Sequence, residues 1–259
     1  MGKNKLVNEN KMKIEVNSKM KRKLKNAKNK IKVNKNNVFS VFNYLKKNYK
    51  SNNIFLYVIL KENIIEDNLK QIKYKILNIP NSLISEENKI LNIENDNNKN
   101  NINIKNIKFI ETISLDKFKE KINLFNNEKK SLKNFNNFYP FIFCAQKFNL
   151  YLKEIKKSND IFFYKNENII NEYLNKIILG GTLIKQINKK IFRIKIGNSN
   201  MNIENIYENF NKIFYKIICY LLSISQKYNN IEGIVLKTNE SIPFKLFGEI
   251  NLDNLNYFN

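Results

Sequence analysis

The sequence predicts a mixed α/β (α+β) fold, and three observations carry that reading. Apolar runs of strand length occur, as from Ile54 to Leu60; Phe192, Ile194 and Ile196 alternate with Arg193 and Lys195; and stretches with three- and four-residue apolar spacing fall between such segments.

Order begins near Asn37. Val38, Val41, Phe42, Leu45 and Tyr49 recur at helical spacing, which predicts a short amphipathic helix with Asn37 as its cap. The run from Ile54 to Leu60 fits a strand buried on both faces. Ile72, Tyr74 and Ile76 alternate with Lys73 and Lys75 in a half-buried strand that Pro80 ends. Beyond Pro80 the character changes. Ile90 to Glu94 predicts a weak strand, residues 95–106 a disordered Asn-rich surface loop, and Ile107 to Ile113 another strand. Ser114 is placed to cap a helix with Leu115, Phe118 and Ile122 on its apolar face. Phe138 to Ala145 reads as a buried strand, and Leu150 to Lys156 and Glu167 to Ile178 as helices. That alternation predicts a small α/β unit with a parallel sheet. Gly197 is expected to break the strand that begins at Ile191. The strongest helix runs from Ile203 to Tyr228, with Ile203, Ile206, Tyr207, Phe210, Ile213, Phe214, Ile217 and Leu221 on one face and Asn202 in capping position. Such a stripe is read as core packing. Ile231 to Lys237 and Phe244 to Phe247 complete the strands.

Charge narrows the function. Among 259 residues, 46 Lys and Arg stand against 23 Asp and Glu, a net charge of +23, which calls for an anionic partner. All but Arg22 and Arg193 of these cations are Lys, point charges suited to phosphates more than to base edges. Residues 1–35 hold 13 of them and only two carboxylates, and read as a disordered basic tail; the remainder is still +12. The densest piece, with Lys19, Lys21, Arg22, Lys23 and Lys25, resembles a nuclear localisation signal and is equally suited to gripping RNA backbone. Asn supplies about a fifth of the chain, an Asn-Lys-Ile bias expected of an A- and T-rich genome. Cys144 and Cys219 sit in apolar runs and read as two reduced, buried thiols. With no His, the commonest general base and metal ligand is missing, so neither an enzyme nor a metal site is expected. No stretch of about 18 uncharged apolar residues occurs, so no helix is expected to span a membrane, and the opening residues lack the apolar segment of a secretory signal.

A resemblance rests on ordered blocks. Lys195-Ile196-Gly197, Met201, Glu204, Ile206, Glu208-Asn209 and Ile234-Val235-Leu236-Lys237-Thr238 resemble the C-terminal signature of the ribosomal protein L-one superfamily. Upstream, Ile54 to Leu60, Lys75 to Pro80, Ile113 to Lys119 and Tyr139 to Phe148 are similar, in order, to the nucleolar assembly-factor branch. The resemblance spans about residues 36 to 250. It implies two domains: a split RNA-binding α+β domain from 36–80 plus 176–259, and an inserted Rossmann-like α/β domain from 81–175. Where the ribosomal protein proper continues with Thr-Met-Gly, this chain has Asn239, Glu240 and Ser241, and Glu240 would present the wrong charge to a phosphate. That departure favours an assembly factor over a stalk protein.

The expectation is therefore a nucleolar ribosome-biogenesis factor that binds precursor ribosomal RNA among pre-ribosomal assembly proteins, with no cofactor and no small-molecule substrate. Lys46, Lys47 and Lys50 near the end of the first helix, with Lys61, Lys195, Lys237 and Lys245, are the candidate phosphate contacts, and Thr238 a candidate donor to RNA backbone or a sugar hydroxyl. Two alternatives stand beside it: a structural, mitochondrial ribosomal protein of the large-subunit stalk, and an RNA-modifying enzyme. Against the enzyme, Gly180-Gly181 is the one Gly pair and no Gly-rich phosphate loop follows a strand.

Overall fold

Two sheets share the chain. The computed structural model describes residues 26, 31–50, 53–62, 75–84, 89–94, 107–127, 138–148, 161–164, 167–188, 190–225 and 230–250. Helix α1 (Lys35–Asn48) leads into β1 (Asn53–Leu60) and β2 (Lys75–Asn78). Then follow β3 (Ile90–Glu94), β4 (Ile110–Ser114) behind a 3₁₀ turn, α2 (Leu115–Asn127), β5 (Phe141–Ala145) and β6 (Ile161–Tyr164). The chain continues through α3 (Glu167–Ile178), β7 (Gly181–Gln186), β8 (Ile191–Asn198), α4 (Ile203–Ser225), β9 (Ile231–Thr238) and β10 (Phe244–Gly248). The six-stranded sheet runs β10-β9-β1-β8-β7-β2, and its described pairings are antiparallel. The four-stranded sheet runs β4-β3-β5-β6 and is parallel. The fold is thus mixed α/β with two sheets.

Every residue of β1 is buried, because the strand is central and both its faces are covered. Successive side chains turn to opposite faces. Ile54, Leu56, Val58 and Leu60, with Phe192, Ile194, Ile196, Ile234 and Leu236, pack under α1 (Val38, Phe42, Leu45) and α4 (Ile206, Phe210, Ile213, Ile217). Phe55, Tyr57, Ile59, Ile191 and Val235 make a separate cluster on the other face, joined by Ile187 and Ile250. Helix α3 spans the two sheets: its Ile170, Leu174 and Ile177 belong to one core with Phe143, Phe162 and Tyr164 of the parallel sheet and with Leu77 and Leu183 of the other.

The chain crosses between sheets twice, and the crossings are tied to each other. Ile79 N–H donates to the Gly180 carbonyl at 2.8 Å beside the Asn78–Gly181 strand pair. Gly180 adopts φ +90°, a conformation that favours glycine. Asn209 fixes the first crossing to the rest. Its Nδ2 donates to the carbonyls of Asn81 and Ile196, each at 2.9 Å, and its Oδ1 accepts from Asn81 N–H at 2.9 Å. Asn81 in turn donates to the Asn205 carbonyl and the Glu208 carboxylate.

Several sequence expectations change. Asn34, not Asn37, caps α1, its Oδ1 accepting from Asn36 N–H. The basic tail is shorter than 35 residues at its C-terminal side: Ile31 is buried and Val33 packs on the core. Gly197 lies inside β8; a Cβ there would come within 2.9 Å of Ile206, so glycine lets α4 settle on the strand. Strand β7 was not foreseen, since Thr182 and Lys185 blur its apolar pattern. Cys144 is buried but Cys219 is half-exposed, being off the core line of α4. Asn202 and Ser114 cap their helices as expected, accepting from Glu204 N–H and Lys117 N–H. The Asn-rich loop, the helix from Leu150 to Lys156 and the alternation at Ile72 and Tyr74 lie outside the described residues.

Away from both crossings, Glu111, Lys121 and Tyr139 form a closed network: Lys121 Nζ donates to Glu111 and to Tyr139 Oη, and Tyr139 Oη donates to Glu111 at 2.6 Å. Burial works against the Glu111 charge, but hydrogen bonds from Lys121 and Tyr139 and the charges of Lys121 and Lys89 outweigh it and hold the carboxyl below its usual range. Burial, then the bond to Glu111, pushes the Tyr139 phenol up to about 12.

Two outcomes follow. Asn209→Ala leaves the buried Ile196 carbonyl and two part-buried Asn81 groups without their partner and should lower unfolding free energy by about 1–3 kcal/mol in urea titration; a loss under about 1 kcal/mol would show that the network contributes little. The depressed Glu111 pKa makes its contribution present above the unfolded value of about 4.3 and lost as pH falls through the folded value. Glu111→Gln should therefore flatten the acid limb of the stability curve, and identical acid limbs would refute this.

Candidate nucleic-acid interface

The second face of the six-stranded sheet collects cations. Antiparallel register places directly opposed residues on one face. One row runs Lys245, Val235, Tyr57, Arg193, Lys185 across β10, β9, β1, β8 and β7. The neighbouring row runs Lys237, Phe55, Lys195. Five cations thus surround two aromatic rings, and these paired positions hold no carboxylate. The Arg193 guanidinium sits 4.8 Å from the Phe55 ring centroid, a cation–π distance.

Depth varies along the rows. Lys245 is exposed, while Lys185 and Arg193 are half-buried. Lys195 and Lys237 are only 4% and 6% exposed. Lys195 Nζ lies 5.4 Å from the ring centroid of Phe141, the first residue of β5, so the parallel sheet abuts this face. Burial, and then the charge of Arg193, holds the Lys237 ammonium below the usual lysine range. The two buried ammonium groups thus sit in a partly desolvated setting beside a guanidinium.

The remaining predicted residues divide between the ends of the sheet. Lys46, Lys47 and Lys50 sit at the C-terminal end of α1, beside the β8–α4 loop, where Lys46 Nζ donates to the Met201 carbonyl. Lys47 and Lys50 are exposed. Lys61 is exposed at the opposite end of the eight-residue strand β1, its N–H on the Asn230 carbonyl, and so roughly 25 Å from the first group at about 3.3 Å per residue. The structure does not bring it together with them. Thr238 needs correction as a surface donor. It is fully buried; its Oγ1 accepts from Glu240 and Ser241 N–H, and its own N–H donates to Ser241 Oγ, closing the 238–241 loop. Lys195 and Lys237 are likewise not the surface charges expected, because strand alternation turns them onto a covered face. The basic stretch Lys19, Lys21, Arg22, Lys23, Lys25 lies outside the described residues.

Sequence reading missed Phe55, Tyr57, Lys185 and Arg193. The period-two pattern of β8 already placed Arg193 beside Lys195, and was the available signal; the aromatics were hidden inside an unbroken apolar run.

Compared with known proteins, the chain matches no family model and no curated protein.

Replacing Lys237 with Met removes a desolvated charge next to Arg193. Lys237→Met should raise stability by about 1 kcal/mol near neutral pH, with less gain at strongly alkaline pH, where the depressed pKa already lets Lys237 discharge. A loss of stability in the same urea titration would show that the ammonium holds the face together.

Proposed function

We propose that this chain is an RNA-binding ribosome-assembly factor of the ribosomal protein L-one type, acting on precursor ribosomal RNA in nucleolar particles. The observation that carries the RNA-binding half is the sheet face itself: Lys185, Arg193, Lys195, Lys237 and Lys245 interleaved with Phe55 and Tyr57. Cations at this density neutralise phosphates and release counterions, and the buried Phe55 and Tyr57 support the stems that carry them. The ribosomal half rests on the ordered sequence blocks, from Ile54 to Thr238, and on a topology that suits them. The six-stranded sheet draws its strands from residues 53–78 and 181–248, while the parallel sheet lies between those stretches at residues 90–164.

In this reading, the exposed ends, Lys47, Lys50 and Lys245, capture the RNA backbone at long range, since they reach solvent already. The buried Lys195 and Lys237 lie behind this rim and add to the positive potential of the face. Lysines rather than arginines on most of the face favour shape and backbone recognition over reading of bases.

Filter binding of the full chain to a folded ribosomal RNA fragment tests this. Affinity should fall steeply between about 50 and 200 mM salt, and Lys185→Ala with Lys245→Ala should reduce the slope of log affinity against log salt by about 2, each lost contact contributing about 0.9. A flat salt response, or an unchanged slope, sinks the assignment of this face. Crosslinking a tagged copy in cells and sequencing the bound RNA tests the rest: precursor ribosomal RNA is expected, and messenger or mitochondrial ribosomal RNA would overturn it.

A further inference from the structure

On the helical side of the six-stranded sheet, away from the cation face, a groove of about 660 Å³ opens between the segment at residues 31–35 and α4. That volume lies in the range of real binding sites, about 300–1,000 Å³. Its floor is apolar and aromatic. Val38 and Phe210 are buried at its base, Tyr207 and Phe214 are half-buried, and Tyr215 is 40% exposed at one end. Its other wall is basic: Lys32 and Lys35 are exposed there, and Lys28 and Lys30 precede them in a stretch from Lys19 to Lys35 without a single carboxylate.

The rings decide what kind of anion fits. Phe210 stacks on Phe214 at 5.7 Å and 5° and on Tyr207 at 6.3 Å and 24°, one neighbour on each side along the helix. Phe39 and Tyr207 also hold Lys35 Nζ, at 5.5 and 5.4 Å from their centroids. The faces of Phe39, Tyr207 and Phe210 are therefore largely taken by each other, by Phe214 and by a cation, and Tyr215 alone of the lining rings is exposed. What remains for a ligand is ring edges, which carry the positive end of the quadrupole, and the aliphatic wall. A nucleobase needs an open ring face; a carboxylate or a branched aliphatic side chain does not.

We propose that this groove docks an acidic peptide segment of a partner protein, with a branched aliphatic side chain seated against Phe214 and Tyr215 and carboxylates paired with Lys32 and Lys35. The groove lies across the sheet from Lys185, Arg193 and Lys245, and at the opposite end of α1 from Lys47 and Lys50, so a peptide there leaves those cations open. Peptide docking and RNA binding therefore fail or succeed separately.

Selection of short random displayed peptides on the full chain tests the proposal. Enriched sequences should combine Asp or Glu with Leu, Ile or Val, and a resynthesised peptide should bind the full chain in fluorescence anisotropy. Lys32→Glu combined with Lys35→Glu should weaken that peptide by about tenfold, as expected for two reversed rim charges, while the charge-neutral Tyr215→Ser leaves RNA affinity in filter binding unchanged. Tyr215→Ser, at an exposed position, should also weaken the peptide, and it decides the matter if the charge reversal does not fold. Enrichment of neutral or basic sequences, no enrichment, or equal affinity for the variants would overturn the proposal. So would displacement of the peptide by single-stranded RNA, which would make the groove a nucleic-acid site.

Discussion

A single carboxamide stands where strand, helix and crossing meet. Asn209 spends both donors and its acceptor on backbone groups of Asn81 and Ile196, and it does so fully buried. An amide in that setting is stable only when every lone pair and proton is matched, so the geometry of the three elements is fixed together. Glycine at position 197 lets α4 approach β8 closely enough for the reach, and the Ile79–Gly180 bond clamps the return crossing beside it. This network fixes the first crossing to β8 and α4, while the apolar face of α3 packs on both sheets.

That fixed frame explains how one sheet supports two unlike surfaces. Under α1 and α4 the strands present Ile, Leu, Val and Phe, and the face is an ordinary core. One residue out of phase, the same strands present Arg193, Lys195 and Lys237 around Phe55 and Tyr57. The aliphatic stems and the rings bury together, which accounts for how little of Lys195 and Lys237 reaches water. Burial and the neighbouring Arg193 hold the Lys237 ammonium below the usual lysine range.

Much of the local structure was legible. The unbroken run from Ile54 to Leu60 indicated a strand covered on both faces, the three-and-four stripe through Ile206, Phe210 and Ile213 indicated the helix that packs on the sheet, and Asn202 and Ser114 were recognisable caps. These signals are local, a property of one strand or one helical turn. The misreadings had physical causes too. Asn37 was one of three asparagines near the helix start, and only the backbone geometry at Asn34 chose among them. Gly197 looked like a terminator because glycine usually weakens strands; here it makes room for Ile206. The site was legible in kind but not in membership: Lys195, Lys237 and Lys245 were noticed as cations, while Phe55 and Tyr57 passed as core.

By itself the amino-acid sequence determined the excess positive charge, the lack of histidine, and which residues alternate along each strand, since all of these are properties of composition and period. The tertiary structure alone decided which lysines reach solvent and which lie against Phe141 or Arg193, and that Lys61 stands at the far end of β1 from Lys47 and Lys50. The reason is that a strand's two faces are equivalent until neighbours pair and something packs above them. Register across β10, β9, β1, β8 and β7 joins residues up to about 190 positions apart, and no local pattern carries that information.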